Sequence, residues 1–216
     1  MQIHREQIRL QSDETFRLLR WSRSVAEVET ISGLGRISKV EGQGDHWHYH
    51  PALELTLIKT GGGTRLVADD IDLFETGDLV LIGPNVPHYW QMRGASSGLA
   101  VQWDFPEEHS IWNLPEANLL HRLIESSRRG LHLFGSTAKE ITQLMEQIVR
   151  DDGLGRLGLF MQILGKLCKA PSRDFKFLSA QSFSISSTPE TQEIIQRAVS
   201  YILAHHREEV SLADLL

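Results

Sequence analysis

A chain of 216 residues, 41% hydrophobic and 23% charged, is long enough for one large domain, or one domain with an appendage, and its balance excludes a disordered tract. A net charge of −6 argues against phosphate-backbone binding by these residues, because non-specific affinity for nucleic acid comes from clustered Lys and Arg. No apolar run approaches the ~18 residues of a membrane span, and the opening MQIHREQIRL has no apolar core of a secretory signal. A single cysteine, Cys168, excludes an internal disulfide. A cytoplasmic setting with no membrane partner is expected.

Residues 14 to 105 read as β. Short apolar and β-branched segments (FRLLRW, LELTLI, TRLVA, LVLIG, HYWQM, GLAVQWDF) are separated by Gly-rich or Asp-rich turns, which predicts an antiparallel sandwich or barrel. After Phe105 the period becomes helical, over 115 to 129, 136 to 151 and 154 to 169. Ile141, Leu144, Met145 and Ile148 form one stripe of the second helix. Leu157, Met161, Leu164 and Cys168 form a stripe of the third, and Leu159, Phe160, Ile163 and Leu167 add another. A helix that is apolar on two sides must bury both. One side covers the barrel, and the other is left for a second copy. The expected dimerisation residues are Ile141, Leu144, Ile148, Leu157, Met161 and Leu164. Cys168, on a stripe, reads as core.

Residues 171–187 contain six serines and a proline and read as a linker. Thr188 then offers an N-cap and Pro189 a first helical position, followed by Ile194, Ile195, Ala198, Ile202 and Leu203. Ser211 caps a further helix that stops at Leu215-Leu216 inside an apolar pattern, so the chain is expected to be cut short. The expected division is 1–110 barrel, 111–170 helical segment, 171–187 linker and 188–216 the start of another domain.

The chemistry concentrates in Gly42-x5-His48-x-His50-x3-Glu54-x6-Gly61, followed by Gly77-Asp78 and, after Gly83-Pro84-Asn85, by His88. On a strand alternate residues share a face, so His46, His48 and His50 are expected together, with Glu54 on matching parity. Three imidazoles and a carboxylate, His48, His50, His88 and Glu54, suit one divalent transition metal (Zn, Ni, Mn or Fe). His46, Trp90 and Gln102 are the expected ligand-binding residues beside it. Gly61-Gly62-Gly63 has no following helix and no lysine, so it reads as a turn, and no nucleotide cofactor is expected.

The first block resembles the first cupin motif, G-x5-H-x-H-x3,4-E-x6-G, at every signature position. The second resembles the second cupin motif, G-x5-P-x-G-x2-H-x3-N, less closely: Gly77 and His88 fit, while Gly83, Asn85 and Met92 stand where the motif has Pro, Gly and Asn. The resemblance implies a mainly β plus α fold, a cupin-type double-stranded β-helix (jelly-roll) barrel followed by a helical dimerisation segment. It also implies that His48, His50, Glu54 and His88 are metal ligands. Residues 188–216 resemble the opening of the helix-turn-helix domain of AraC-type transcription regulators. Gly77-Asp78-Leu79-Val80-Leu81-Ile82-Gly83-Pro84-Asn85-Val86-Pro87-His88 resembles their N-terminal cupin domain. The resemblance therefore implies an effector-binding and dimerising part of a DNA-binding transcription regulator. Such a part would be a homodimer, would sense a small molecule such as a sugar or related metabolite, and would reach DNA only through a missing C-terminal domain. It would not be an enzyme. The alternative is a metal-dependent cupin enzyme, such as a dioxygenase or isomerase.

Overall fold

The computed structural model describes residues 3–8, 10, 14–183 and 201. The expected helices of 188–216, Tyr201 apart, lie outside the described residues, as do 184–187 of the expected linker. The chain forms β1 (His4–Arg5), β2 (Arg17–Trp21), β3 (Glu27–Gly33), β4 (Arg36–Glu41), β5 (His48–Tyr49), β6 (Leu53–Thr60) and β7 (Gly63–Val67). It continues with β8 (Asp70–Phe74), β9 (Leu79–Ile82), β10 (His88–Met92) and β11 (Ser97–Trp103). Then come α1 (Asn118–Ser127), β12 (Leu131–Leu133), α2 (Gly135–Ile148), α3 (Gly153–Cys168) and β13 (Phe175–Phe177). One sheet has the order β1-β5-β10-β7-β8, the other β13-β12-β9-β6-β11-β2-β3-β4. The ladders are antiparallel except for β1 beside β5. The fold is mainly β, a cupin-type jelly roll with a helical layer against its larger sheet.

Period-2 alternation assigns the two faces of that larger sheet. Leu53, Leu55 and Leu57 of β6, Leu79 and Leu81 of β9, and Leu99, Val101 and Trp103 of β11 join one apolar core with Ile141, Met145 and Ile148 of α2 and Phe160, Ile163, Leu164 and Leu167 of α3. The residues between them, Ile58, Val80, Ile82 and Ala100, join Trp21, Val67, Phe74 and Trp90 in a second core inside the barrel. This is why LELTLI reads as a nearly continuous apolar run: both of its faces are buried. Glu54, Thr56 and Gln102 therefore point into the barrel from strands whose other side carries the helices. Phe16 stacks on Phe160 at 4.3 Å between ring centroids, and Trp103 meets Phe160 edge-on at 5.6 Å.

Three side chains expected at a dimer interface belong to this internal core. Ile141 and Ile148 are 0% exposed and Leu164 is 2% exposed, so they pack within the chain's own core. The helical layer needs both of its stripes, because α2 and α3 pack on each other as well as on the sheet. Leu144 and Leu157 stay half-buried, and Met161 is exposed.

The expected linker also differs. Phe175–Phe177 pairs with β12, which itself extends the larger sheet from β9. Asp174 caps α2: its Oδ2 accepts from Thr137 N at 2.9 Å, Thr137 Oγ1 at 2.7 Å and Ser136 Oγ at 2.9 Å. Leu178 and Ser179 are buried. Serine content signals a turn-rich path, but Phe175, packed against the first core, and Leu178, buried in the second, dock it, while Phe177 stays exposed. The barrel and the 111–170 segment thus share a core and a sheet.

A buried ion pair ties the two sheets at one end. Arg65 of β7 donates through Nη1 to both oxygens of Asp78, at 2.8 and 2.9 Å. His132 Nε2 of β12 lies 3.1 Å from Asp78 Oδ1.

Candidate metal centre

Three elements bring the histidines together. His48 opens β5 and His88 opens β10, and they are direct partners in that ladder. His50 follows β5, its backbone oxygen accepting from Asn85 N at 2.8 Å. The motif departures in this corner have physical reasons. Asn85 adopts φ 58°, a left-handed conformation that asparagine tolerates almost as glycine does. At Gly83 a Cβ would come within 2.5 Å of the Ser127 backbone at the end of α1, so no proline ring fits there.

Ring centroids are 4.1 Å apart for His48 and His88, 5.0 Å for His50 and His88, and 5.8 Å for His48 and His50. One ring nitrogen from each lies within 4.8 Å of the others. Each Nδ1 lies against a backbone carbonyl: His48 on His46 O at 2.8 Å, His50 on Ala52 O at 2.9 Å, His88 on Val86 O at 2.9 Å. A carbonyl only accepts, so Nδ1 carries the proton in all three rings, and Nε2 has a free lone pair wherever the imidazole is neutral. His88 Nε2 is buried and has no hydrogen-bond partner among the described residues. Orienting the ring through Nδ1–H and offering Nε2 is how proteins hold a metal-ligating imidazole. The residues fit a divalent transition metal on this ground.

Electrostatics favour the ligating forms of His48, His88 and Glu54 but not of His50. Burial, reinforced by the neighbouring His50, pushes His48 down to about 4. Burial, and then His48, holds His88 well below the ordinary imidazole value. His50 is raised: burial opposes its charge, but the hydrogen bond and charge of Glu54 outweigh it. For Glu54, burial alone would raise the carboxyl, yet the His50 hydrogen bond, the His88 and His50 charges and the Thr56 hydroxyl hold it well below the usual range. Glu54 Oε2 is 3.3 Å from His50 Nε2 and accepts from Gln102 Nε2 at 2.7 Å, while Oε1 accepts from Thr56 Oγ1 at 2.5 Å. It adjoins the triad without joining the close cluster of ligand atoms.

A cavity of about 50 Å³ opens beside these groups, lined among others by Arg17, Trp21, His48, Glu54, Trp90 and Gln102. Trp90 stands edge-on to His88 at 5.5 Å, and its Nε1–H is buried without a partner. Gln102 and Trp90, two of the three expected ligand-binding residues, line this cavity. His46 does not: its ring is exposed, 2.7 Å from Asp45 Oδ1, and its contribution to the site is its backbone oxygen. The chain turns through 44–46 and becomes a strand only at His48, so the parity argument does not reach back that far. Two further residues were not anticipated. Thr56 lies two positions after Glu54 on β6, and parity alone identifies it. Glu6 reaches His48 through the β1–β5 pairing, for which no motif gives a signal; burial raises its carboxyl.

No family model matches the chain, and no curated protein matches it. Among solved structures, the chain is similar to the AraC-like transcriptional activator CuxR, at 10% identity and TM-score 0.43, over 93% of this chain and 65% of that one. It is similar to ToxT from Vibrio cholerae at 10% identity and TM-score 0.40, over 94% and 70%. It is also similar to a mutant form of Bacillus subtilis oxalate decarboxylase OxdC at 16% identity and TM-score 0.29, over 40% and 29%. This chain thus spans about two thirds of the regulator chains and under a third of the decarboxylase. At such scores these likenesses carry no argument, and the fold rests on the strand order and alternation described above.

Proposed function

We propose that the chain is the effector-binding part of an AraC-type transcription regulator, with a divalent transition metal held by His48, His50 and His88 inside its sensor pocket. The observation that carries this reading is the two-faced construction of β6 and β11. Glu54, Thr56 and Gln102 border the pocket, while Leu53, Leu55, Leu57, Val101 and Trp103 of the same strands pack on α2 and α3. A molecule that repositions the inner side chains acts on the strands that support the helical layer. A ligand drives such a change only through different affinities for the two arrangements.

Bound metal would supply a Lewis-acidic site for an oxygen donor of the effector. The chain's own residues do the rest. Trp90 Nε1–H offers a buried donor, and Arg17, which reaches Gln102 Oε1 at 3.5 Å and Glu6 Oε1 at 3.9 Å, offers a cation at the cavity wall. These groups suit a small, oxygen-rich molecule such as a sugar or related metabolite. The output would pass to a DNA-binding domain of which 188–216 resembles the beginning. Pairing of two copies would use the outer side of α3, where Leu154 and Met161 are exposed.

The test is a mobility shift with the full-length gene product on DNA from its own promoter region. Retardation is expected, modulated by a small molecule that also raises the Tm of residues 1–216. Metal-dependent turnover of a small molecule, with no DNA retardation, would replace the regulator with a cupin enzyme.

A further inference from the structure

Beside the histidines lies a second carboxylate that the motif does not contain. β1 runs parallel to β5 with His4 opposite His48 and Arg5 opposite Tyr49. His4 N donates to Trp47 O and Glu6 N to Tyr49 O, both at 2.9 Å. This pairing carries the Glu6 side chain to the mouth of the pocket. Its Oε2 lies 3.7 Å from His48 Nε2, and its Oε1 lies 3.9 Å from Arg17 Nη1. Both separations exceed hydrogen-bond length, so the carboxylate touches the site without being fixed by it.

One separation, from Glu6 Oε2 to His48 Nε2, approaches that of two ligands of a shared metal. Ligand bonds of about 2.0–2.1 Å in a tetrahedral arrangement place neighbouring donor atoms roughly 3.3 Å apart. Glu6 Oε2 and His48 Nε2 need to close by a few tenths of an ångström, and Glu6, which like Glu54 lies outside the close cluster of ligand atoms, has to swing further in to join His50 and His88. Glu54 is held differently: its oxygens accept from Thr56 and Gln102, and Oε2 lies 3.3 Å from His50 Nε2. Charge points the same way: among the described residues, the cavity lining holds three carboxylates, Glu6, Glu41 and Glu54, against one cation, Arg17.

We propose that Glu6 is a ligand of the metal held by His48, His50 and His88, so that metal binding fastens strand β1 onto the barrel. The site is then completed by a segment more than forty positions away in sequence from the histidine motif. Loading the metal then fixes β1 and Glu6, which lines one side of the pocket.

This inference rests on the metal reading above, and the experiment separates the two. Zn²⁺ is titrated calorimetrically into metal-free protein, wild type and Glu6→Gln. Co²⁺ loading records the ligand-field spectrum of each, and hydrogen exchange follows the Glu6 amide with and without Zn²⁺. The expected result is binding weakened about tenfold or more by Glu6→Gln, the scale on which lost support of a metal site is felt. A changed Co²⁺ spectrum and Zn²⁺-dependent protection of the amide in the wild type alone should accompany it. Equal Zn²⁺ affinity and an unchanged Co²⁺ spectrum in Glu6→Gln would overturn the assignment while leaving the histidine centre intact. A wild type that binds no Zn²⁺ or Co²⁺ would overturn the metal reading itself, and this inference with it. Thermal unfolding of metal-free Glu6→Gln checks that the variant is folded, and loss of the fold is not expected for a residue at the pocket mouth.

Discussion

His48 and His88 stand opposite each other in the β5–β10 ladder, their ring centroids 4.1 Å apart, each ring oriented by a bond from Nδ1 to a main-chain carbonyl. Neither ring can turn its Nε2 away without giving up that bond. Nε2 of His88 is the more exacting of the two, being buried and without a partner. His88→Ala should therefore cut divalent-metal affinity by more than the roughly 10–100-fold typical of outer-shell changes, since it removes a ligand. Calorimetric titration of metal-free protein with Zn²⁺ measures this, and wild-type affinity in the variant would remove His88 from the centre.

The same burial makes the metal-free protein sensitive to acid. His48 titrates near 6.5 when unfolded and about 4 when folded. The unfolded chain therefore binds the extra proton between those values, and stability is full above pH 6.5 and lost as pH falls toward 4. A shift of this size corresponds to roughly 3 kcal/mol for the one group. His88 shifts in the same direction, whereas raised His50 acts oppositely and reduces the net loss. Chemical denaturation of metal-free protein at about pH 7 and about pH 4.5 should show lower stability at the acid value, and His48→Gln should flatten the difference. Metal should be released over the same range, because ligation needs neutral imidazole.

Asp78 should prove to be among the most sensitive polar positions outside the metal centre. Arg65 is 0% exposed and its Nη1 has both Asp78 oxygens as acceptors. Asp78→Ala would leave that guanidinium buried beside little more than Asp70, 3.7 Å away. A loss of about 3–5 kcal/mol is expected from urea unfolding, as for other buried pairs broken on one side. A loss below ~1 kcal/mol would mean that water replaces the carboxylate freely.

How far the sequence reaches is best seen residue by residue. The β-to-helical change of period, the three helices, and the matching parity of His48, His50 and Glu54 follow from spacing, because strand parity and helical stripes are local rules; that His88 meets them is what the cupin resemblance implies. Two expectations failed where the rule was not local. His46 shares parity with His48 in sequence but lies in a turn. Ile141, Ile148 and Leu164 form good stripes, yet periodicity does not say whether a stripe meets the chain's own sheet or a second copy. Glu6, β12 and β13 depend on pairings between distant segments, which leave no trace in spacing.

The face that remains for a second copy is narrower than the stripes suggested. On α3, Leu154 is 85% exposed and Met161 40%, with Leu157 half-buried between them. Gly158 and Gly165 have open space where a Cβ would stand, so another helix could approach closely. Met161→Glu should shift sedimentation of the protein at tens of micromolar from dimer to monomer. Monomeric wild type under those conditions would remove the dimer from the account.

The central claim, that His48, His50 and His88 hold a divalent metal in this barrel, is tested most directly by elemental analysis of protein purified without a metal-affinity column. About one transition-metal ion per chain is expected, as in other sites with three imidazole ligands, and background levels in a His48→Ala/His88→Ala double variant. Protein that carries none, and takes up none when reconstituted with Zn²⁺, Ni²⁺, Mn²⁺ or Fe²⁺, would contradict it.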